Sequence, residues 1–144
     1  MAPAVVHQSS SVAQTEAIAA SLVERLSRGG VVGLEGGLGA GKTQFVRGLV
    51  SALGGDRQQV HSPTFILLHE YAISNGRRLF HLDAYRIGSD DLEAIGFEEL
   101  LAAVHEGDVI AIEWPQNVAE LMPVDAIRIQ ITADSPTRRT IHIS

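Results

Sequence analysis

A chain of 144 residues with 45% hydrophobic and 19% charged side chains has the composition of a folded soluble domain, which excludes extensive disorder. No apolar run is long enough to cross a bilayer, and the first ten residues lack the pattern of a secretory signal. The formal net charge of −6 argues against direct electrostatic binding to nucleic acid. We expect a single domain over residues 1–144, in the cytoplasm, since the chain also has no cysteine.

The N-terminal half predicts a helix, a buried strand and a second helix. Ser11 and Gln14 are spaced as a capping box, and apolar residues then recur at helical intervals up to Gly29–Gly30. The run "VVGLE" at 31–35 predicts a buried strand before a glycine-rich turn. The second helix follows that turn, and its apolar stripe consists of Phe45, Val46, Leu49, Val50 and Leu53.

The central segment predicts a β-hairpin around Asn75–Gly76, the dipeptide best suited to a type I′ turn. A two-residue turn there would place Asp83 opposite Leu68 and Ile87 opposite Thr64. The hairpin would therefore bring residues 62–64 and 83–86 to the same end.

The remaining elements are two short helices split at Gly96, a buried strand at 108–113 and a second hairpin through "ADSPTRR". Trp114–Pro115 ends the buried strand. Strands alternate with helices early in the chain and pair as hairpins later. This order predicts a mixed α/β sheet.

The strongest motif lies between the first predicted buried strand and the helix after it. It matches G-x-x-x-x-G-K-[ST] in full, and its residues are Gly36, Gly37, Leu38, Gly39, Ala40, Gly41, Lys42 and Thr43. Lys42 is the only lysine in the chain, beside ten arginines. We therefore predict a nucleotide phosphate site here.

Each residue type in the motif has a physical role. Glycines let consecutive backbone amides point inward around phosphate oxygens, and the following helix directs its positive end at the same anion. The slender ammonium group of Lys42 reaches β- and γ-phosphates better than a planar guanidinium does. The Thr43 hydroxyl is the expected protein ligand of Mg²⁺.

Hydrolysis needs further groups, and several residues are candidates. Asp83 and Glu113 each end a predicted strand, so at least one should serve the metal, although acids also often simply mark strand ends. Thr64 in "SPT" could bind Mg²⁺ from a mobile loop or belong to an ordinary turn. Arg86 could neutralise phosphoryl charge or form a surface salt bridge. Trp114 could pack near the nucleotide, which its neighbour Glu113 favours, or simply fill the core.

The histidines are predicted to be structural. His69 and His81 alternate with apolar residues on predicted strands, and no histidine spacing indicates zinc.

The segments "GLGAGKT", "SPTF", "HLDAYRI" and "EWPQ", in this order, resemble the TsaE (YjeE) family of small bacterial ATPases. The resemblance covers nearly the whole chain and implies a single-domain, P-loop NTPase-like three-layer α/β fold with a mixed parallel and antiparallel sheet. One departure is visible. The family usually has an aspartate where this chain has Gly37.

The resemblance also implies a site. Lys42 and the loop amides would hold the phosphates, with Gln44 and Trp114 among the nucleotide contacts. Thr43, Asp83 and Glu113 would organise Mg²⁺, and Glu113 would also position the attacking water.

Thr64 would belong to a switch-like loop, and Arg86 would complete the "DAYR" segment near the site. Residues near Thr15 and Arg138 would approach the adenine.

For function, the resemblance implies Mg²⁺-dependent, slow hydrolysis of ATP to ADP in support of a TsaB–TsaD complex. That complex threonylcarbamoylates adenosine 37 of ANN-decoding tRNAs, so this chain would meet tRNA only through its partners.

Two other classes of function remain open from the sequence. A small-molecule P-loop kinase would need an acceptor pocket and usually an arginine-rich lid, and no segment is long enough for that lid. A nucleotide-sensing adaptor would bind without useful catalysis. The motif alone does not separate ATP from GTP, although the GTPase base motif N-K-x-D is absent.

Overall fold

The computed structural model describes residues 4–61 and 68–144. The strands are β1 (Val5–Ser9), β2 (Gly30–Glu35), β3 (Leu68–Ala72), β4 (Arg78–Asp83), β5 (Val109–Glu113), β6 (Ile127–Ala133) and β7 (Arg139–Ile143). The helices are α1 (Val12–Ala20), α2 (Lys42–Ala52), α3 (Ser89–Ala94) and α4 (Phe97–Val104). Short 3₁₀ segments lie at Arg57–Gln59, Ser74–Gly76 and Pro115–Leu121.

The described strands form one mixed sheet in the order β1-β7-β6-β2-β5-β4-β3. The four central strands are parallel, and β1, β7 and β3 join them antiparallel at the two sides. The carboxyl ends of β2, β4 and β5 therefore meet at one edge of the sheet. In parallel α/β sheets this edge is where ligands bind.

Helices cover both faces, which confirms the predicted three-layer α/β fold. Phe45, Val46 and Leu49 of α2 pack with residues of α1 on one face. Leu92 and Phe97 of α3 and α4 pack on the other face with the 3₁₀ segment at Pro115–Leu121. No helix among the described residues is long and apolar enough to cross a bilayer.

The helices α1 and α2 are in close contact at Gly48. A Cβ added there would lie 2.5 Å from the Cα of Glu16, closer than packed atoms approach, so glycine is required at this crossing. This close approach packs the middle of α1 against the middle of α2. The two helices consequently border the same cleft, described below.

The predicted first helix begins correctly and ends early. Ser11 Oγ accepts a hydrogen bond from Gln14 N at 3.0 Å, as a capping residue does, but Gln14 Oε1 accepts from Ser10 N rather than from Ser11. The helix ends at Ala20, and turns carry the chain to Gly29. Leu22 and Leu26 are nevertheless buried, as the apolar spacing predicted. Strand β1 was not predicted.

The predicted hairpin exists, but its register was wrong by one residue. Asn75 and Gly76 have φ values of +63° and +71°, as a type I′ turn requires. Ile73 N, however, bonds to Arg77 O, which leaves Ser74 as an extra residue. Leu82, not Asp83, therefore lies opposite Leu68. The predicted pairing of Ile87 with Thr64 lies outside the described residues.

Candidate functional site

The glycine-rich motif, residues 36–43, forms the loop between β2 and α2 and the first residues of α2, and it is called the phosphate loop after its predicted ligand. Gly39 and Gly41 have φ values of +75° and +113°, a left-handed conformation that side-chain-bearing residues rarely adopt. Gly41 is the N-cap of α2, and no side chain caps the helix there. The first amides of α2 are thus left for a ligand, which is the arrangement of an anion site.

The tip of the loop is open. An added Cβ at Gly37 would have no atom within 4 Å, and the Leu38 side chain is 75% exposed. An aspartate at position 37, as the resemblance would expect, would meet no obstruction. Glycine and aspartate are therefore both sterically compatible with this position of the loop.

Lys42 lies inside the loop and is only 5% exposed. Its Nζ donates a hydrogen bond to Gly36 O at 2.8 Å and lies 3.8 Å from the centroid of the Trp114 ring, within cation–π range. Burial lowers the pKa of the Lys42 ammonium group, and the Glu113 and Asp83 carboxylates oppose that shift. The ammonium group is held by neutral partners and would gain from a bound anion.

Trp114 connects the end of β5 to the phosphate loop. Its φ of +61° is left-handed, which is unusual for a bulky side chain and concentrates backbone strain at this position. Its N–H bonds to Leu34 O at 3.1 Å, and its ring packs against Tyr85 at 4.8 Å between centroids. The ring therefore forms a wall beside Lys42.

The two acids predicted from strand ends are neighbours. Asp83 pairs with Glu113 in the parallel register of β4 and β5, and both side chains point to the face covered by α2. Burial raises the pKa of Asp83, and the nearby Glu113 carboxylate adds to this shift. The hydrogen bond that Asp83 Oδ1 accepts from Tyr85 N at 2.9 Å acts in the opposite direction.

These residues suit a hard divalent cation. Two carboxylates lie close to one ammonium group, so the site has an excess of negative charge and of oxygen donors. Among the described residues, however, no three His, Asp or Glu side chains form a metal cage. Mg²⁺ commonly takes only one or two carboxylates, with phosphates and water completing its shell. Thr43, Asp83 and Glu113 fit that pattern.

A cleft of about 210 Å³ lies beside the loop, between the start of α1 and the β6–β7 turn. Thr15 lines it, buried and bonded to Ser9 Oγ at 2.8 Å. Gln44 also lines it, and its buried Oε1 has no partner among the described residues. A nucleoside could occupy this position next to the phosphate loop.

The arginine beside this cleft is Arg139, while Arg138 is exposed and does not line it. Arg139 Nε donates to Ala40 O at 2.7 Å and its Nη1 to Ser135 O at 2.8 Å. Arg139 thereby ties the phosphate loop to the β6–β7 turn. Arg138 and Arg139 are adjacent in the sequence, where the β6–β7 turn ends and β7 begins.

Two predicted site residues remain, Arg86 and Thr64. Arg86 is exposed, and its guanidinium lies 6.0 Å from the Tyr85 ring centroid, at the rim of the site. It forms no salt bridge to another described residue. Thr64 lies outside the described residues, so its role stays a prediction.

Sequence reasoning missed two residues that support the site. Asn117 Nδ2 donates to Ala84 O at 2.7 Å and to Tyr85 O at 3.3 Å, which fixes the turn after Asp83. His81, predicted to be structural, has its Nε2 2.6 Å from Glu113 Oε2. Alternation along β4 was the available signal, because it places His81 and Asp83 on the same face.

Comparison with known proteins decides the family. Residues 9–141 match the family model described as "Threonylcarbamoyl adenosine biosynthesis protein TsaE". The chain belongs to the TsaE family. Its family role is therefore in tRNA threonylcarbamoyladenosine biosynthesis.

Individual TsaE proteins are similar over most of their length. The chain is 34% identical to TsaE of Rickettsia conorii over 138 residues, covering 95% of this chain and 76% of that protein. It is 36% identical to TsaE of Bacillus subtilis, covering 89% and 77%, and 39% identical to TsaE of Treponema pallidum, covering 83% and 84%.

The crystal structure of YdiB from Bacillus subtilis superimposes on this TsaE-family chain with a TM-score of 0.72 at 27% identity. The match covers 99% of this chain and 86% of YdiB. The sheet and its two helical layers thus have a crystallographic counterpart.

The raised pKa of Asp83 predicts a stability change in metal-free protein. The folded state binds the Asp83 proton more tightly than the unfolded chain does. The stabilisation that this proton gives the folded state is therefore complete at pH values below the pKa of Asp83 in the unfolded chain. It is lost as the pH rises through the pKa of Asp83 in the folded protein. Asp83→Asn keeps the Oδ1 acceptor for Tyr85 N and should raise the melting temperature near pH 8 in EDTA. That gain should shrink towards about pH 4, near the unfolded pKa.

Differential scanning fluorimetry at the two pH values measures this effect. The exposed Asp125 provides the matched control, since Asp125→Asn makes the same chemical change away from the site. A lower melting temperature for Asp83→Asn near pH 8 would show that the ionised Asp83 stabilises the metal-free fold.

Proposed function

We propose that this chain binds ATP at the phosphate loop and hydrolyses it slowly with Mg²⁺, as an accessory ATPase of a tRNA-modifying complex. The observation that carries the proposal is the convergence of Lys42, Asp83 and Glu113 beside the glycine loop. A binding loop alone would need only the amides and the lysine. The paired acids add what hydrolysis requires.

Different residues bind the phosphates, receive the nucleoside and orient the attacking water. The loop amides and Lys42 bind and orient the phosphates, and the cleft at Thr15 and Gln44 receives the nucleoside. Bound Mg²⁺ would neutralise charge on the phosphate oxygens, held by Thr43 and the two acids. Glu113 orients a water, whose oxygen bonds to the γ-phosphorus while the bond from that phosphorus to the ADP oxygen breaks. Glu113 accepts the water's proton.

We expect slow ATP hydrolysis by the chain alone because of the positions of two arginines. Arg139 is bound to main-chain carbonyls of the loop and its neighbouring turn, and Arg86 stands exposed at the rim. An arginine finger contributes about 10³–10⁵ in rate where it operates, and it must be held against the transferred phosphoryl group. A partner could supply that charge or rearrange the rim.

We infer that the partner is the TsaB–TsaD complex, which carries out the threonylcarbamoyl transfer to adenosine 37 of ANN-decoding tRNAs. Membership of the TsaE family supports this assignment. The net charge of −6 supports a role in which tRNA is bound by the partners.

The test measures phosphate release from ATP by the chain alone, by TsaB–TsaD alone and by the mixture, with GTP as the competing nucleotide. We expect slow release by the chain, a rise on mixing, and threonylcarbamoylated tRNA only when the chain and ATP are both present. Equal release with and without the partners would contradict the accessory role. Phosphate appearing on an added metabolite would favour the kinase alternative.

A further inference from the structure

His81 and Glu113 form a buried pair beneath the nucleotide site. His81 has no exposed surface, Glu113 is 4% exposed, and Nε2 of the imidazole lies 2.6 Å from Oε2 of the carboxylate. An ionised carboxylate, the form that binds a metal ion, can only accept a hydrogen bond, and this form requires Nε2–H as the donor in the contact. At this separation the bond is short and charge-assisted.

The sheet register makes this contact possible. His81 is paired with Ala111 on β5, and Glu113 is the next residue of β5 on the same face. Because Ala111 is small, the imidazole can extend across it towards Glu113. The Tyr71 ring also lies beside the imidazole, with centroids 6.2 Å apart, which limits the positions that the imidazole can adopt.

The pair uses only one of the two carboxylate oxygens. Oε2 is bound to His81, while no side-chain hydrogen bond to Oε1 is formed within residues 4–61 and 68–144. A buried carboxylate with one fixed oxygen has a defined orientation, which a carboxylate surrounded by water lacks. The remaining oxygen is then available to the nucleotide site.

We propose that His81 is a positioning residue for Glu113: its Nε2–H fixes Oε2 and leaves Oε1 for the metal and the attacking water. This proposal rests on the proposed ATPase function. It assigns His81 no contact with nucleotide, and it requires that the effect of changing His81 pass through Glu113.

Kinetics of two substitutions at position 81 test the proposal. His81→Leu fills much of the same space without a donor, and His81→Gln restores an N–H near the position of Nε2. We expect kcat of His81→Leu to fall about 10- to 100-fold, the usual cost of losing an outer-shell partner. The Kd for ADP without Mg²⁺ should stay within about twofold, because phosphate binding does not use this pair. His81→Gln should recover part of kcat.

His69 offers a matched control. It is paired with His81 across β3 and β4, yet it has no hydrogen bond to Glu113. His69→Leu should leave kcat within about twofold of the unaltered protein.

A double substitution separates positioning from general support of the fold. Adding His81→Leu to a Glu113→Gln background should cause little further loss of kcat, since the group that His81 orients is already gone. Independent losses that multiply in the double variant would overturn the proposal. So would an unchanged kcat in His81→Leu, or equal losses in His81→Leu and His81→Gln when both are folded.

Nitrogen NMR of the imidazoles tests the hydrogen bond without nucleotide or metal. We expect His81 to carry its proton on Nε2, with slow exchange, and its Nε2–H signal to shift in Glu113→Gln. A His81 protonated only at Nδ1 would overturn the proposal. This measurement holds even if the unaltered protein and its partners hydrolyse no ATP, an outcome that would reject the proposed function alone.

Discussion

Lys42→Ala should weaken binding of Mg·ADP by more than about 100-fold, because two charge-assisted hydrogen bonds to phosphate contribute roughly 3 kcal/mol or more. The ammonium group is already desolvated and lies within the loop, so little reorganisation is needed when phosphate arrives. Isothermal titration calorimetry measures the loss directly. Trp114 emission measures it independently, because Trp114 is the only tryptophan and Lys42 lies 3.8 Å from its ring centroid.

Two further variants show what the lysine provides. Lys42→Arg keeps the positive charge but replaces a point charge with a planar fork, and should also bind weakly. Arg28→Ala removes one positive charge from the opposite end of β2 and should leave binding unchanged. If Lys42→Ala bound Mg·ADP as tightly as the unaltered protein, the loop would not be a phosphate site.

Glu113→Gln should lower kcat for ATP hydrolysis by about 10²–10⁴ while ADP binding changes little. Glutamine has nearly the same shape, so the variant removes the negative charge and the proton acceptor but keeps most packing. Phosphate release with TsaB–TsaD present gives kcat, and calorimetry gives the affinity. The two measurements together separate a loss of chemistry from a loss of binding.

Glu35 provides the matched control for this substitution. It ends β2, the strand beside β5, and its carboxylate accepts a hydrogen bond from Gln130 at 3.1 Å. Glu35→Gln should hydrolyse ATP at close to the normal rate. Equal kcat in Glu113→Gln and the unaltered protein would mean that Glu113 neither orients the water nor takes its proton.

Much of the fold was predictable because its signals are local. The phosphate loop is eight consecutive residues, and its conformation depends on glycines within it. The helices at α2, α3 and α4 follow from apolar spacing and from Gly96, whose φ of +83° separates the last two. The buried strands β2 and β5 are short apolar runs. Each of these predictions needed only neighbouring residues.

The errors arose where two segments meet. The hairpin turn was predicted correctly, yet one extra residue at Ser74 shifted the whole register. A one-residue shift moves every side chain relative to its partner, and no local pattern fixes it. Strand β1 was missed for a related reason. It is a sheet edge with exposed Val5 and Val6, so it lacks the apolar run of a buried strand.

By itself the sequence determined the phosphate loop, the single lysine within it and the two acids at strand ends, since those features lie in contiguous motifs. Only the tertiary structure decided that Trp114 covers Lys42, that Arg139 rather than Arg138 ties the loop, and that His81 bonds Glu113. These contacts join residues far apart in the chain. Their geometry is set by strand register and by side-chain packing across the sheet, which a linear pattern does not encode.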